Sequence, residues 1–89
     1  MAPAEVDSSR VLHALAEPHR ASIVRLLVDE QLAVKQLVAA TGMTQPLVSH
    51  HLKVLREAGL VTATKRGVNI WYAVVPEQLE ALRGALSRA

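Results

Sequence analysis

Hydrophobic residues recur at every third or fourth position along most of the chain, and this spacing predicts α-helices. We expect five helices, over residues 10–16, 18–28, 35–41, 45–58 and 77–88. Polar and helix-breaking residues separate these segments. Thr44, for example, can accept a hydrogen bond at the start of the fourth helix, and Gly59 can end it.

The spacing of apolar residues shortens to two after Gly59, which predicts strands. Residues 60–64 and 70–75 are expected to form a β-hairpin, joined by a turn over residues 65–69. A short segment, residues 32–34, can also be extended. The predicted fold is therefore mainly α with a small β-hairpin. Two helices joined by a short turn and followed by a hairpin make a winged helix-turn-helix.

The fourth predicted helix has an apolar face and a polar face. Val48, Leu52 and Leu55 are spaced by four and three, so we expect them to pack on the core. The other face carries hydrogen-bonding and cationic groups, which suit base edges near the start of the helix and phosphates further along it. The predicted DNA-contacting residues of this helix and its start are Thr44, Gln45, Pro46, Ser49, His50, Lys53 and Arg56.

The charge of the chain is unevenly distributed. The formal net charge is only +2, yet residues 31–76 carry five basic side chains and one acidic one. A locally basic segment suits a polyanion such as nucleic acid, although an ordinary solvated surface is the alternative. Lys65 and Arg66 lie near the predicted hairpin tip, where they either contact flanking DNA or form a solvated turn.

Length and composition limit the class of protein. An 89-residue chain holds a single domain, residues 1–89. Half of the residues are hydrophobic, but there is one Trp, one Tyr and no Phe, so the core must be aliphatic. A small domain with surplus aliphatic surface often buries it in an oligomer. The absence of cysteine excludes disulfides, thiolate metal sites and thiol redox chemistry.

The sequence shows no sign of secretion, membrane insertion or catalysis. Residues 1–7 lack the features of a signal peptide, and no apolar stretch has membrane-spanning length, so we expect a cytoplasmic protein. Ser49 and His50 are neighbours on a helix and diverge, with no carboxylate to orient the imidazole. A glycine-rich phosphate loop is also missing. We expect neither an enzyme nor a bound cofactor.

Three segments carry a family resemblance: LAEPHR at residues 15–20, IVRLL at 23–27 and TQPLVSHHLKVLREAGLV at 44–61. With the hairpin and closing helix, the chain resembles the ArsR/SmtB family over nearly its whole length. The resemblance implies a dimeric winged helix that binds a pseudo-palindromic DNA operator, usually as a repressor. The recognition helix would be residues 45–58 and the wing residues 65–69.

The same resemblance implies that the first and last helices, about residues 8–16 and 77–88, form a homodimer interface. The expected interface residues are Val11, Leu12, Leu15, Leu79, Leu82 and Leu86. The alternative for the leucine stripe of the last helix is that it packs on its own domain.

Members of this family often sense metals, and the chain departs from two of the family's metal sites. Where one site places a Cys-x-Cys motif, residues 32–37 contain no ligand. Where another uses an acid-x-His pattern on the final helix, this chain has Glu77 and Glu80 but no histidine. We therefore predict no metal at either site, and any effector is unknown.

The four histidines have different predicted roles. His50 lies on the polar face of the fourth helix, which favours DNA contact over plain surface. His51 borders the inward face, which favours a packed, hydrogen-bonded structural role. His13 and His19 flank the break between the first two helices and can approach each other, or His13 can meet a partner across a dimer. Two imidazoles make an incomplete metal site; the acids that can complete one are Glu5, Asp7 and Glu17.

Two other functions stay open on the sequence alone. A winged helix can act as a protein-interaction module with little DNA binding. Its recognition face would then be neutral or apolar, whereas this one is polar and cationic. A family member with a non-standard site can also respond to a metal or another ligand.

Overall fold

A computed structural model describes residues 8–87 of the chain. Its helices are α1 (Ser8–Ala16), α2 (Pro18–Asp29), α3 (Val34–Thr41), α4 (Gln45–Glu57) and α5 (Pro76–Ser87), and its strands are β1 (Leu32–Ala33), β2 (Val61–Arg66) and β3 (Asn69–Val74). This order confirms the predicted winged helix-turn-helix. The predicted end of the last helix, residue 88, lies outside the described residues. Within residues 8–87, every helix is too short or too polar to cross a membrane.

The three strands form one antiparallel sheet in the order β1-β3-β2. β1 has only two residues, and it pairs Leu32 with Tyr72 and Ala33 with Trp71. This pairing confirms the predicted extended segment at residues 32–33, whereas Val34 belongs to α3. The pairing also joins the connection between α2 and α3 to the hairpin through backbone hydrogen bonds. The position of the wing relative to the helix-turn-helix is therefore fixed.

The hairpin turn is shorter than predicted. Arg66 pairs with Asn69, so the turn consists of Gly67 and Val68 alone. Gly67 has a φ of 61°, a left-handed conformation that two-residue hairpin turns require and that glycine adopts without steric cost. The prediction of a turn over residues 65–69 is therefore corrected: Lys65 and Arg66 belong to β2.

The core is aliphatic, as the composition predicted. Its fully buried large side chains come from α1 to α4 and from the start of the hairpin, and they are Val11, Ile23, Leu37, Val48, Leu52, Leu55, Leu60 and Val61. Burial of these groups is the main favourable contribution to folding in a domain of this size.

α2 and α4 begin in the same way. Each has a proline in its first turn, where the missing N–H has no partner within the helix in any case. Glu17 accepts a hydrogen bond from the Arg20 N–H at 2.9 Å, and Thr44 accepts one from the Leu47 N–H at 3.4 Å. The predicted cap at Thr44 is confirmed, and both helix starts are set by local sequence.

Two residues expected at a dimer interface lie instead in the core of their own chain. Val11 is 1% exposed and Leu82 is 6% exposed, because α1 and α5 turn these side chains inward onto the domain. They cannot present apolar surface to a partner in this arrangement. Their predicted role is therefore corrected to that of supporting the terminal helices from inside.

The remaining apolar residues of the terminal helices differ in exposure. Leu15 and Leu79 are half-buried against the core. Leu12 and Leu86 are 44% and 55% exposed. These two leucines are the large aliphatic side chains that α1 and α5 leave open to another surface.

Candidate nucleic-acid interface

The exposed face of α4 is polar and cationic. Gln45, Ser49, Lys53 and Arg56 follow one another at intervals of four, four and three, so they form one stripe along the helix. All of the residues predicted for this surface are exposed, namely Thr44, Gln45, Pro46, Ser49, His50, Lys53 and Arg56. Exposure is what DNA contact requires, and the contact itself stays a prediction.

The opposite face of α4 fixes the helix on the protein. Val48, Leu52 and Leu55 are at most 1% exposed, as their spacing predicted. Beyond the helix, the Leu60 N–H donates to the Leu55 carbonyl at 3.0 Å, which closes the C-terminal end. The core therefore sets the orientation of the exposed stripe.

The turn between α3 and α4 is held by backbone geometry. Gly42 has a φ of 75°, and its N–H donates to the Val38 carbonyl at 2.9 Å. This is the left-handed end that glycine favours after a helix. Met43 is buried beneath the turn, which anchors the connection between the two helices.

The two cations of the wing have different surroundings. Arg66 donates to the Gln31 side-chain oxygen at 2.7 Å, and its guanidinium lies 5.8 Å from the centre of the Trp71 ring. Lys65 is exposed. Val68, at the tip, is 96% exposed. Val68 lies within the predicted wing, residues 65–69, but was not among the predicted DNA-contacting residues.

A surface groove joins the start of α4 to the wing. Its lining residues come from three separate parts of the chain, and they are Ala33, Val34, Lys35, Gln45, Val68, Asn69 and Ile70. Lys35 adds a cation to this groove and was not among the predicted DNA-contacting residues. No local pattern could have found it, because the pairing of β1 with β3 brings it beside the wing.

A polar cluster behind the stripe joins α4 to α2. His51 is 5% exposed, and its Nδ1 accepts a hydrogen bond from Arg20 Nη1 at 3.3 Å. Arg20 Nε donates to the Ala14 carbonyl at 2.7 Å. The His19 ring stacks on the His51 ring with centroids 5.7 Å apart, and His19 Nδ1 donates to Glu17 Oε2 at 3.0 Å. The predicted packed and hydrogen-bonded role of His51 is confirmed.

The pKa values of two groups in this cluster are lowered. Burial is the largest cause for His51; the Glu17 carboxylate opposes it, and the Arg20 guanidinium adds to it. The His51 ring is therefore neutral at neutral pH. For Glu17, partial burial would raise the pKa. The hydrogen bonds from the backbone N–H of Arg20 and from His19 lower the pKa by more, so the net shift is downward. The carboxylate is therefore ionised.

His13 lies apart from this cluster. It lines a cleft with Ser9, Val54 and Glu57, between α1 and the end of α4. The structure thus brings His19 together with His51 and Glu17, a grouping that the sequence analysis did not make. Glu5 and Asp7, the other acids considered for a metal site, lie outside the described residues.

Comparison with known proteins identifies the family. Residues 17–63, more than half of the chain, match the model of the bacterial regulatory protein, arsR family. The chain belongs to the arsR family. The resemblance seen in the sequence is confirmed.

Curated arsR-family relatives include two proteins of Mycobacterium tuberculosis. The HTH-type transcriptional repressor SmtB is 42% identical over 72 residues, which cover 81% of this chain and 53% of SmtB. The HTH-type transcriptional regulator NmtR is 44% identical over 73 residues, which cover 82% of this chain and 59% of NmtR. The matched part of the chain thus spans little more than half the length of these relatives.

A solved structure agrees with the arsR-family fold. A crystal structure of a possible transcriptional regulator for arsenical resistance superposes with a TM-score of 0.79 at 38% sequence identity. The match covers 86% of this chain and 80% of the other. The likeness therefore extends well beyond the helix-turn-helix.

Proposed function

We propose that this arsR-family chain is a transcription regulator that binds double-stranded DNA, with α4 as its recognition helix. The observation that carries the proposal is the exposed stripe of Gln45, Ser49, Lys53 and Arg56 on a helix whose other face is fixed in the core. A helix fits the major groove, and this stripe supplies hydrogen bonds and positive charge to it. Relatives named as a transcriptional repressor and a regulator support the same function.

The residues of the stripe divide between two kinds of contact. Gln45 can donate to and accept from an adenine edge, and it lies in the first turn, where a docked recognition helix approaches the bases. Ser49 and His50 lie one turn further on and can contact either a base or a phosphate. Lys53 and Arg56 contact phosphates, which position the protein without distinguishing sequences.

The wing extends the proposed surface to flanking DNA. Lys65 supplies an exposed positive charge for the phosphate backbone. Arg66, tied to Gln31 and packed over Trp71, supports the wing and adds positive potential from a fixed position. Lys35, in the groove beside Gln45, adds a further cation.

We also propose that the chain works as a homodimer through α1 and α5. Leu12 and Leu86 are exposed aliphatic side chains on two helices that contact each other. Their burial against a second copy would remove apolar surface from water. Two copies would then place their α4 helices in successive major grooves, roughly 34 Å apart, on a pseudo-palindromic operator. Binding over a promoter would make the dimer a repressor.

Fluorescence anisotropy with labelled duplexes tests the proposal. The duplexes are the DNA upstream of the chain's own coding region and a scrambled duplex of equal length. We expect tighter binding to the upstream DNA, with affinity falling steeply as salt rises, because cation release from phosphates supplies much of the affinity. Ser49→Glu places a negative charge in the stripe and should abolish binding. Ala81→Glu places the same charge on an exposed position of α5 and should not.

Two outcomes would count against the proposal. A folded dimer that binds neither duplex at low salt would exclude DNA binding and favour a protein-interaction module. Equal loss of binding in Ser49→Glu and Ala81→Glu would exclude α4 as the recognition helix.

A further inference from the structure

We propose that Glu17, His19 and His51 form a binding site for a divalent first-row transition-metal ion such as Zn²⁺, Co²⁺ or Ni²⁺. Each of the three side chains offers one ligand atom, and these atoms all lie within 4.8 Å of one another. Two of the residues begin α2 and the third lies on α4. The site would therefore bridge the two helices from the side of α4 opposite its exposed stripe.

The donor set suits these ions. Two imidazole nitrogens and one carboxylate oxygen are ligands that Zn²⁺ and its neighbours bind well, commonly with water in the fourth position. The side chain of His19 is 57% exposed, so the site is open to entry and to a water ligand. Around a tetrahedral ion with bonds of about 2.0–2.2 Å, ligand atoms lie roughly 3.4 Å apart. The His19 and Glu17 atoms are 3.0 Å apart. The other distances are at most 4.8 Å, so they must shorten by up to about 1.4 Å through rotation of the His19 and Glu17 side chains. For His19 Nδ1 to bind the ion, the proton that it donates to Glu17 moves to Nε2 of the same ring.

One buried nitrogen of the proposed site lacks a hydrogen-bond partner within residues 8–87. His51 Nε2 is buried and has no hydrogen-bond partner among the described residues. Buried polar atoms without partners are rare in native proteins, and each calls for an explanation. While Arg20 donates to Nδ1, Nε2 carries the ring proton and lacks an acceptor among these residues. Once the proton passes to Nδ1, Nε2 has a lone pair that a metal ion can bind.

The helix cap and the proposed site can use different oxygens of Glu17. Oε1 accepts the hydrogen bond from the Arg20 N–H that starts α2, whereas Oε2 faces His19. Coordination through Oε2 therefore leaves the cap in place. The Glu17 carboxylate also offsets part of the positive charge that the ion would add beside Arg20.

Metal binding and the contact between Arg20 and His51 exclude each other. A neutral imidazole has one N–H and one lone pair. While Arg20 donates to Nδ1, the ring proton must be on Nε2. If an ion takes the lone pair at Nε2, the ring proton resides on Nδ1, and Arg20 loses its acceptor. The number of protons on the ring does not change. The connection between α2 and α4 is then made by the ion instead of by the hydrogen bond from Arg20 to His51.

Competition against a chromophoric chelator, with Zn²⁺ and Co²⁺ as probes and no DNA present, tests the site. We expect one ion per chain, and His19→Gln and Glu17→Gln should each weaken binding by at least about tenfold, since even outer-shell losses have effects of that size. His13→Gln removes an exposed histidine outside the cluster and should leave the affinity unchanged. Circular dichroism checks that all three variants are folded.

Ring nitrogen NMR of the ¹⁵N-labelled chain locates the ion. We expect Zn²⁺ to shift the signals of His19 and His51 and to leave those of His13 and His50 in place. The proposal is overturned if the chain binds no more tightly than His19→Gln, if His13→Gln loses as much affinity, or if the shifts fall on His13 or His50. None of these results depends on whether the chain binds DNA, so the proposed function is tested separately.

Discussion

α4 and α5 have nearly the same length, 13 and 12 residues, yet the core covers them to different extents. α4 buries four side chains, three of them aliphatic. Among the described side chains of α5, Leu82 is buried, whereas Leu86 is 55% exposed. α4 is thus held on its own chain by four buried side chains, although Leu47 is 39% exposed, whereas α5 is held by fewer and leaves Leu86 more exposed.

The difference agrees with the contacts that we propose for the two helices, DNA for α4 and a second copy of the chain for α5. A recognition helix must present its polar stripe in one orientation, and a helix already fixed on the core needs little ordering when it binds. An interface helix must instead keep apolar surface for a partner, because removal of that surface from water stabilises association. The same core therefore fixes the orientation of α4 and leaves part of the apolar surface of α5 exposed.

Shortening a core residue of α4 should have the largest effect. Leu55 is fully buried, so Leu55→Ala should lower the free energy of unfolding by about 2–5 kcal/mol, because it removes buried methyl groups and leaves a cavity. Leu86→Ala should change it by about 0.5 kcal/mol or less at concentrations where the chain is monomeric, as exposed positions usually do. Urea denaturation measures both. Equal losses would contradict the contrast between the two helices.

Placing a charge on the open face of α5 should come next. Leu86→Glu should weaken dimer formation by about 2–3 kcal/mol, the free energy of burying a leucine side chain. Sedimentation equilibrium measures the dissociation constant. Ala81→Glu, which adds the same charge elsewhere on α5, serves as the control. A dimer that tolerates Leu86→Glu would place the interface on another surface.

Removing the amide at the start of α4 should reduce discrimination between sequences. Gln45→Ala should cost about 1–3 kcal/mol of binding to the specific duplex, the range for a good base contact, with little change for random DNA. Anisotropy with both duplexes gives the difference. If both affinities fell equally, Gln45 would be a phosphate contact rather than a base contact.

Exchange of single cations should have the smallest effect. Lys53→Ala should weaken binding to all sequences about equally and reduce the salt dependence by about one counterion. Arg83 is a cation of α5 whose side chain is 79% exposed, and its exchange for alanine serves as the matched control for Lys53→Ala. Arg83→Ala should leave the salt dependence unchanged at concentrations where both variants are dimers. If Arg83→Ala also reduced the salt dependence of DNA binding, α5 would have to be part of the DNA-contacting surface.

The sequence alone determined the order of the elements and the two faces of α4. Helical and strand spacing are properties of neighbouring residues, and the cap at Thr44 needs only its own backbone a few positions away. For the same reason, the inward orientation of Val48, Leu52 and Leu55 could be predicted without any other part of the chain. The family resemblance lay in these same segments.

Only the tertiary structure decided which distant surfaces meet. Arg66 finds Gln31, 35 positions away, and Arg20 finds His51, 31 positions away. The same packing turned Val11 into the core, although its spacing suited an interface equally well. It also brought His19 and Glu17 to His51. Spacing along a helix shows which residues share a face. The residues on the opposite side of a contact depend on how the helices pack, and no local pattern encodes that.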